Sequence, residues 1–157
     1  MNTTFTHPGE DRYFEDYVPA SVHEFGPILA ELDEANPLAT CFASQDFHSN
    51  QKIAKNSLLG ATLVSGWDST GLLTRLLVDY YLPEIGNLSS PEVSALCWPL
   101  SIRAGDELIA RATINETRRS VSEPNGGIVH SFVEVQNQDR KVVMSMNMQH
   151  TALCIPT

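Results

Sequence analysis

Positive charge is scarce in this chain: ten lysine and arginine side chains stand against nineteen aspartate and glutamate, a formal net charge of −9. A nucleic-acid surface needs a cluster of basic groups to neutralise phosphates, and the nearest thing here is the pair Arg118-Arg119. Nucleic acid is therefore not an expected partner. Cysteine is also sparse. Cys41, Cys97 and Cys154 are far apart with no CxxC spacing, which argues against a disulfide framework or a thiolate zinc site. His23, His130 and His150 are separated by long stretches, so no metal and no cofactor is expected.

Long apolar runs are missing as well. The most apolar stretch, near residues 72–82, is interrupted by Thr74, Arg75 and Asp79, and a membrane span needs about 20 consecutive apolar residues. The start of the chain has no basic run leading into an apolar one, so no signal peptide is expected. Without secretion, the glycosylation patterns beginning at Asn2, Asn87 and Asn115 read as chance. A cytoplasmic location is the default expectation.

What is present is ordinary globular material: 157 residues, 42% of them hydrophobic, enough for one domain with its own core. Residues 1–10 are polar, contain Pro8-Gly9 and read as a flexible tail, leaving 11–157 as a single domain. Val22 to Phe25 reads as a short strand closed by Gly26-Pro27. Asn36 before Pro37 is a cap signal for a short helix through Phe42, and a further turn or two is expected over Asn50 to Asn56. The strongest helix signal begins at Ser65, where Ser65 and Asp68 have the form of a capping box. Leu72, Leu73, Leu76, Leu77, Val78, Tyr80 and Tyr81 follow before Pro83. These residues spread over more than half the helix circumference, which predicts burial on most sides.

After Pro91 the texture becomes that of strands. Val93 to Trp98 is one, ended by Pro99. Asp106 to Thr117 is another, with Leu108, Ala110, Ala112 and Ile114 on one face. A turn at Glu123 to Gly127 leads to Ile128–Gln136, and Asn137 to Arg140 leads to Val142–Gln149, with Val142, Met144, Met146 and Met148 sharing a face. One apolar helix followed by antiparallel strands predicts an α+β domain, its sheet folded over a long central helix.

Three stretches carry a resemblance to a known family. They are Phe47-His48-Ser49-Asn50 with Ala54 and Gly60; Leu63 to Trp67 running into Leu72 to Leu77; and Trp98 to Leu108, with the later Val135 to Asp139 and Val142 to Ser145. In this order and spacing, over about residues 12–153, the sequence resembles the MaoC-like acyl dehydratases, the R-specific enoyl-thioester hydratases. The resemblance implies a hotdog fold, assembly as a homodimer or from dimers, and hydration or dehydration of thioesters of coenzyme A or an acyl carrier.

That family's catalytic pair is an aspartate and a histidine five residues later. His48 matches the histidine, while the aspartate position falls on Ala43, with Gln45 and Asp46 between them. Hydration needs a base for water, an acid for the α-carbon and donors for enolate charge. A histidine with its pKa near neutrality suits the first two, and Asp46 is the candidate second acid-base group or the group that orients His48. As simple structural residues, His48 would be a loop histidine and Asp46 a solvated acid. Gly66 opens the helix, where amides lack internal partners and glycine permits close approach, so its N–H, joined by that of Trp67, is the candidate oxyanion donor. The alternative is a glycine that merely allows tight entry into the helix. Ser65, Trp67, Asp68, Phe42 and Leu63 are candidate substrate-binding residues, each with a packing or capping reading beside it. A thioesterase, or a non-catalytic acyl-thioester binding subunit as Ala43 suggests, stands as the alternative function.

Overall fold

The computed structural model describes residues 5, 9–31, 63–84, 86–88 and 92–156. The two helices expected over residues 37–42 and 50–56 lie outside this set. Among the described residues the order is a 3-10 turn at Gly9–Asp11, another at Phe14–Asp16, strand β1 (Val22–Leu29), helix α1 (Gly66–Leu76) continued by a π-helical turn (Leu77–Tyr81), then β2 (Glu92–Cys97), β3 (Glu107–Arg119), β4 (Gly126–Gln136) and β5 (Val142–Leu153). The strands form one five-stranded antiparallel sheet in the order β1-β3-β4-β5-β2. The architecture is α+β.

The strand periodicity was a sound guide. Leu108, Ala110, Ala112 and Ile114 of β3 are all buried, as are Val129, Val133 and Val135 of β4 and Met144, Met146 and Met148 of β5. With Leu73, Leu76, Leu77 and Tyr81 from α1 and its continuation they form one core. Burying a Leu or Ile side chain contributes about 1.5–3 kcal/mol, so this inner face is what holds helix to sheet.

Three expectations need correction. The first strand does not close at Gly26-Pro27 but runs on to Leu29, with its register against β3 shifting between Phe25 and Ile28. The Gly-Pro pair bulges out of the ladder, where proline's missing N–H costs no hydrogen bond. Gly26 has φ +117°, and a Cβ there would stand 3.1 Å from the Leu108 carbonyl oxygen, so only glycine suits the bulge. Val142 does not join the buried methionine face: the register shifts between Val135 and Gln136, so Val143 and Met144 are the buried pair.

The helix is buried on one stripe only. Ser69, Leu73, Leu76, Leu77 and Tyr81 point inward, whereas Val78 and Tyr80 are 58% and 52% exposed. Apolar composition around the whole circumference did not translate into all-round burial, because a single sheet face covers a single side. The π turn adds a residue to the period, with Leu82 N–H bonding back to the Leu77 carbonyl at 2.7 Å, and so brings both Tyr81 and Leu82 into the core.

Candidate functional site

The lead-in to α1 is fixed from the segment that follows β2. Val64 N–H donates to the Ile102 carbonyl at 2.9 Å, and Leu63, itself buried, bridges antiparallel to Arg103. Beyond them, Arg103 N–H donates to Asp106 Oδ2 at 2.8 Å, and Gln138 Nε2 donates to Asp106 Oδ1 at 2.9 Å. Two stretches singled out in the sequence, Leu63–Trp67 and Trp98–Leu108, are thus laid side by side at one end of the helix, with the Asn137–Arg140 turn tied to the second.

Ser65 is the N-cap, with φ −58° and ψ 141°, but its side chain makes no capping hydrogen bond. The capping box expected from Ser65 and Asp68 is not formed. The hydroxyls that engage this turn come from further along and point backward: Ser69 Oγ and Thr70 Oγ1 donate to the Gly66 carbonyl at 2.5 and 2.9 Å. The first helical bond runs from Ser69 N–H to the Ser65 carbonyl at 3.0 Å. Among the described residues, then, the amides of Gly66, Trp67 and Asp68 meet no acceptor. Three donors at the positive end of a helix macrodipole are a site for developing negative charge.

The surroundings are aromatic. Trp98, just past β2, lies on Gly66 so closely that a Cβ there would sit 2.9 Å from Trp98 Cε2, which accounts for glycine at this position by packing alone. Trp98 Nε1 donates to the buried Ser69 Oγ at 3.1 Å. Trp67 is 74% exposed and meets Trp98 edge to face, centroids 5.5 Å apart. Asp68 and Ser65 are half-buried beside them. Arg75, on the same helix, is exposed and pairs with Asp79 at 3.8 Å. The structure therefore brings Leu63, Ser65, Gly66, Trp67 and Asp68 into one neighbourhood. His48, Asp46 and Phe42, and Ala43 with them, lie outside the described residues.

Sequence reasoning missed Trp98 and Ser69 as neighbours of the helix start. It also missed a second polar cluster, at the opposite end of α1. There Arg12 Nη1 donates to the Tyr80 and Tyr81 carbonyls at 3.0 and 2.8 Å, and the Tyr17 hydroxyl donates to the Tyr81 carbonyl at 2.7 Å. The Tyr81 and Ser131 hydroxyls are 2.6 Å apart. His150 lies against both tyrosine rings, 1% exposed, with neither ring nitrogen hydrogen-bonded among the described residues. Burial, then the positive charge of Arg12, lowers its pKa to about 4. Burial pushes both tyrosine hydroxyls above their ordinary range. His23 stacks on Phe5 at 3.8 Å, and His130 lines a polar depression of the sheet with Glu92, Ser94, Asn115 and Asn147. Among the described residues no three His, Cys, Asp or Glu side chains gather as a metal site, and no helix is long and apolar enough to cross a membrane.

No protein-family profile matches the chain, and no curated protein does. Solved structures do. A MaoC-like dehydratase from Rhodospirillum rubrum is 29% identical, with a TM-score of 0.75 over 93% of this chain and 99% of that one. An R-hydratase from Pseudomonas aeruginosa is 17% identical over 91% and 86% of the two chains, TM-score 0.67. A protein from Archaeoglobus described as a monoamine oxidase regulatory protein is 17% identical over 98% and 100%, TM-score 0.71. The last two show the shared fold alone.

Proposed function

We propose, from the premise that the chain is MaoC-like in sequence and fold, that it adds water to enoyl thioesters of coenzyme A or an acyl carrier, or removes it from the 3-hydroxyacyl form. One observation carries the reading. The helix begins with three amides that, among the described residues, no side chain and no backbone carbonyl occupies, glycine first, beside an apolar wall. When water adds at the β-carbon, the electron pair of the double bond moves toward the thioester oxygen. Amide donors held there in advance stabilise that charge without reorganising, an effect worth about 10²–10³ in rate per donor.

In this reading Gly66 N–H and Trp67 N–H receive the oxygen, and His48 takes the proton from water as it attacks. Asp46 orients His48 or returns a proton to the α-carbon. Ser65, Trp67, Asp68, Leu63 and Phe42 line the acyl and thioester path. The domain is taken as residues 11–157 after a tail of ten residues. The subunits pair as a homodimer, for which the exposed edge strand β2, with Val93, Ser94 and Cys97 open to solvent, is the natural seam.

Ala43 favours a second reading, a non-catalytic subunit that holds the thioester without turning it over. Crotonyl-CoA hydration by the native protein, His48→Ala and Asp46→Asn separates the two. Turnover in the native protein that falls in both variants supports the hydratase. Equal rates in all three remove His48 and Asp46 from the mechanism. Binding of crotonyl-CoA without turnover selects the binding subunit, and release of free CoA identifies thioester hydrolysis in its place.

A further inference from the structure

The peptide unit joining Gly66 to Trp67 has two ends with different fates. Its N–H, on Trp67, meets no acceptor among the described residues. Its carbonyl, on Gly66, accepts from Ser69 Oγ at 2.5 Å and from Thr70 Oγ1 at 2.9 Å. Ser69 Oγ in turn accepts from Trp98 Nε1 at 3.1 Å. The Ser69 hydroxyl has one proton, and its other neighbour, Met144 Sδ at 3.9 Å, is a thioether and a weak acceptor. The proton therefore goes to the carbonyl, and the chain runs in one direction: indole N–H to hydroxyl, hydroxyl to carbonyl.

Carbonyl and N–H belong to one resonance-coupled plane. Donors on the oxygen draw electron density toward it and leave the N–H at the other end more positive, and successive hydrogen bonds in such a chain reinforce one another. Trp98 also fixes the plane from the side, since its indole packs on the Gly66 Cα. Ser69 is buried, so solvent does not compete for the relay.

We infer that Trp98 and Ser69 are positioning residues for the thioester site: they polarise and hold the Gly66–Trp67 peptide so that Trp67 N–H is the strongest donor to an acyl-thioester oxygen at the start of α1. This rests on the thioester reading above and deepens it. It assigns the principal oxyanion contact to the second residue of the helix, and it gives Trp98, the residue after β2, a part in the chemistry.

The test uses Trp98→Phe, which keeps an aromatic ring on Gly66 but removes the N–H, and Ser69→Ala, which removes the hydroxyl. Thr74→Val serves as the control, because the Thr74 hydroxyl bonds the Thr70 carbonyl one turn further on. Thermal melts establish that each variant is folded. The first readout needs no ligand. The Gly66 carbonyl ¹³C and Trp67 amide ¹H resonances move upfield in Trp98→Phe and further in Ser69→Ala, and stay in place in Thr74→Val. The second is the red shift in absorbance of bound hexadienoyl-CoA, which reports polarisation of its carbonyl. It shrinks in the two relay variants at unchanged affinity, and kcat for crotonyl-CoA falls about three- to tenfold with KM unchanged, the scale of one net hydrogen bond.

Resonances that do not move, or a red shift as large in Ser69→Ala as in the native protein, overturn the relay. Resonances that move while the native protein leaves the hexadienoyl-CoA spectrum unshifted show the relay intact and refute the thioester reading, and the assigned role with it.

Discussion

The Tyr17 hydroxyl donates to the Tyr81 carbonyl, so a residue ahead of the first strand closes the far end of α1. The last carbonyls of a helix have no partner within it, and Arg12 supplies two more donors with a positive charge suited to the negative end of the dipole. Tyr17→Phe is expected to lower stability by about 0.5–1.5 kcal/mol, the net worth of a neutral hydrogen bond. Arg12→Met should cost more, about 1.5–3 kcal/mol, because its bonds are charge-assisted. Urea unfolding measures both. Equal losses would mean that water replaces the arginine at these carbonyls.

Tyr81 and Ser131 share a buried hydroxyl pair. Ser131→Ala strands the Tyr81 hydroxyl and is expected to cost about 1–3 kcal/mol, while Tyr81→Phe with Ser131→Ala removes both polar groups and should recover part of that loss. A double variant weaker than Ser131→Ala alone would show that the Tyr81 hydroxyl finds another partner.

His150 makes stability depend on pH. Its folded pKa, lowered from 6.5 to about 4, means that between those values the unfolded chain holds a proton that the folded chain refuses. The neutral ring, facing Tyr17, Tyr81 and the Arg12 charge, therefore contributes full stability above pH 6.5. That contribution is lost as pH falls toward 4, by about 3 kcal/mol at the acid end. Between pH 7 and pH 4 the native protein should lose about 3 kcal/mol more unfolding free energy than His150→Leu, read from urea unfolding at pH 7, 5.5 and 4. Parallel profiles would place the acid sensitivity elsewhere.

Gly66→Ala sets two effects against each other. Alanine favours a helix over glycine by about 1 kcal/mol, but its Cβ would press on the Trp98 ring at 2.9 Å, and overpacking costs about 1–3 kcal/mol. The expected result is a net loss of stability with a change in tryptophan emission, since Trp67 and Trp98 are the chain's two tryptophans. In a Trp98→Leu background the same change should be neutral or stabilising. A loss of equal size in both backgrounds would show that the indole yields.

Much of the fold was legible because strand alternation and turn chemistry are local. Leu108 to Ile114 and the methionines of β5 declared their face by spacing alone, and Ser65 and Pro83 bracketed the helix correctly. Bulges were not legible. Gly26-Pro27 reads locally as a stop, and only pairing with β3 reveals that the strand continues past it. The capping box at Ser65 and Asp68 failed for the opposite reason: the right residue types were present, but the cap's geometry was not.

By itself the sequence determined the inward faces of β3 and β5, the turns between the later strands and the span of the main helix, and it carried the resemblance to thioester enzymes, because these are properties of neighbouring residues and ordered motifs. Tertiary structure alone decided that Trp98 would lie on Gly66 and load its carbonyl through Ser69, and that Arg12, Tyr17, Ser131 and His150 would meet around Tyr81. Apart from Ser69 and Gly66, the bonded partners stand 29 to 69 positions apart. No periodicity encodes such distances; strand register and the packing of one helix on one sheet face do.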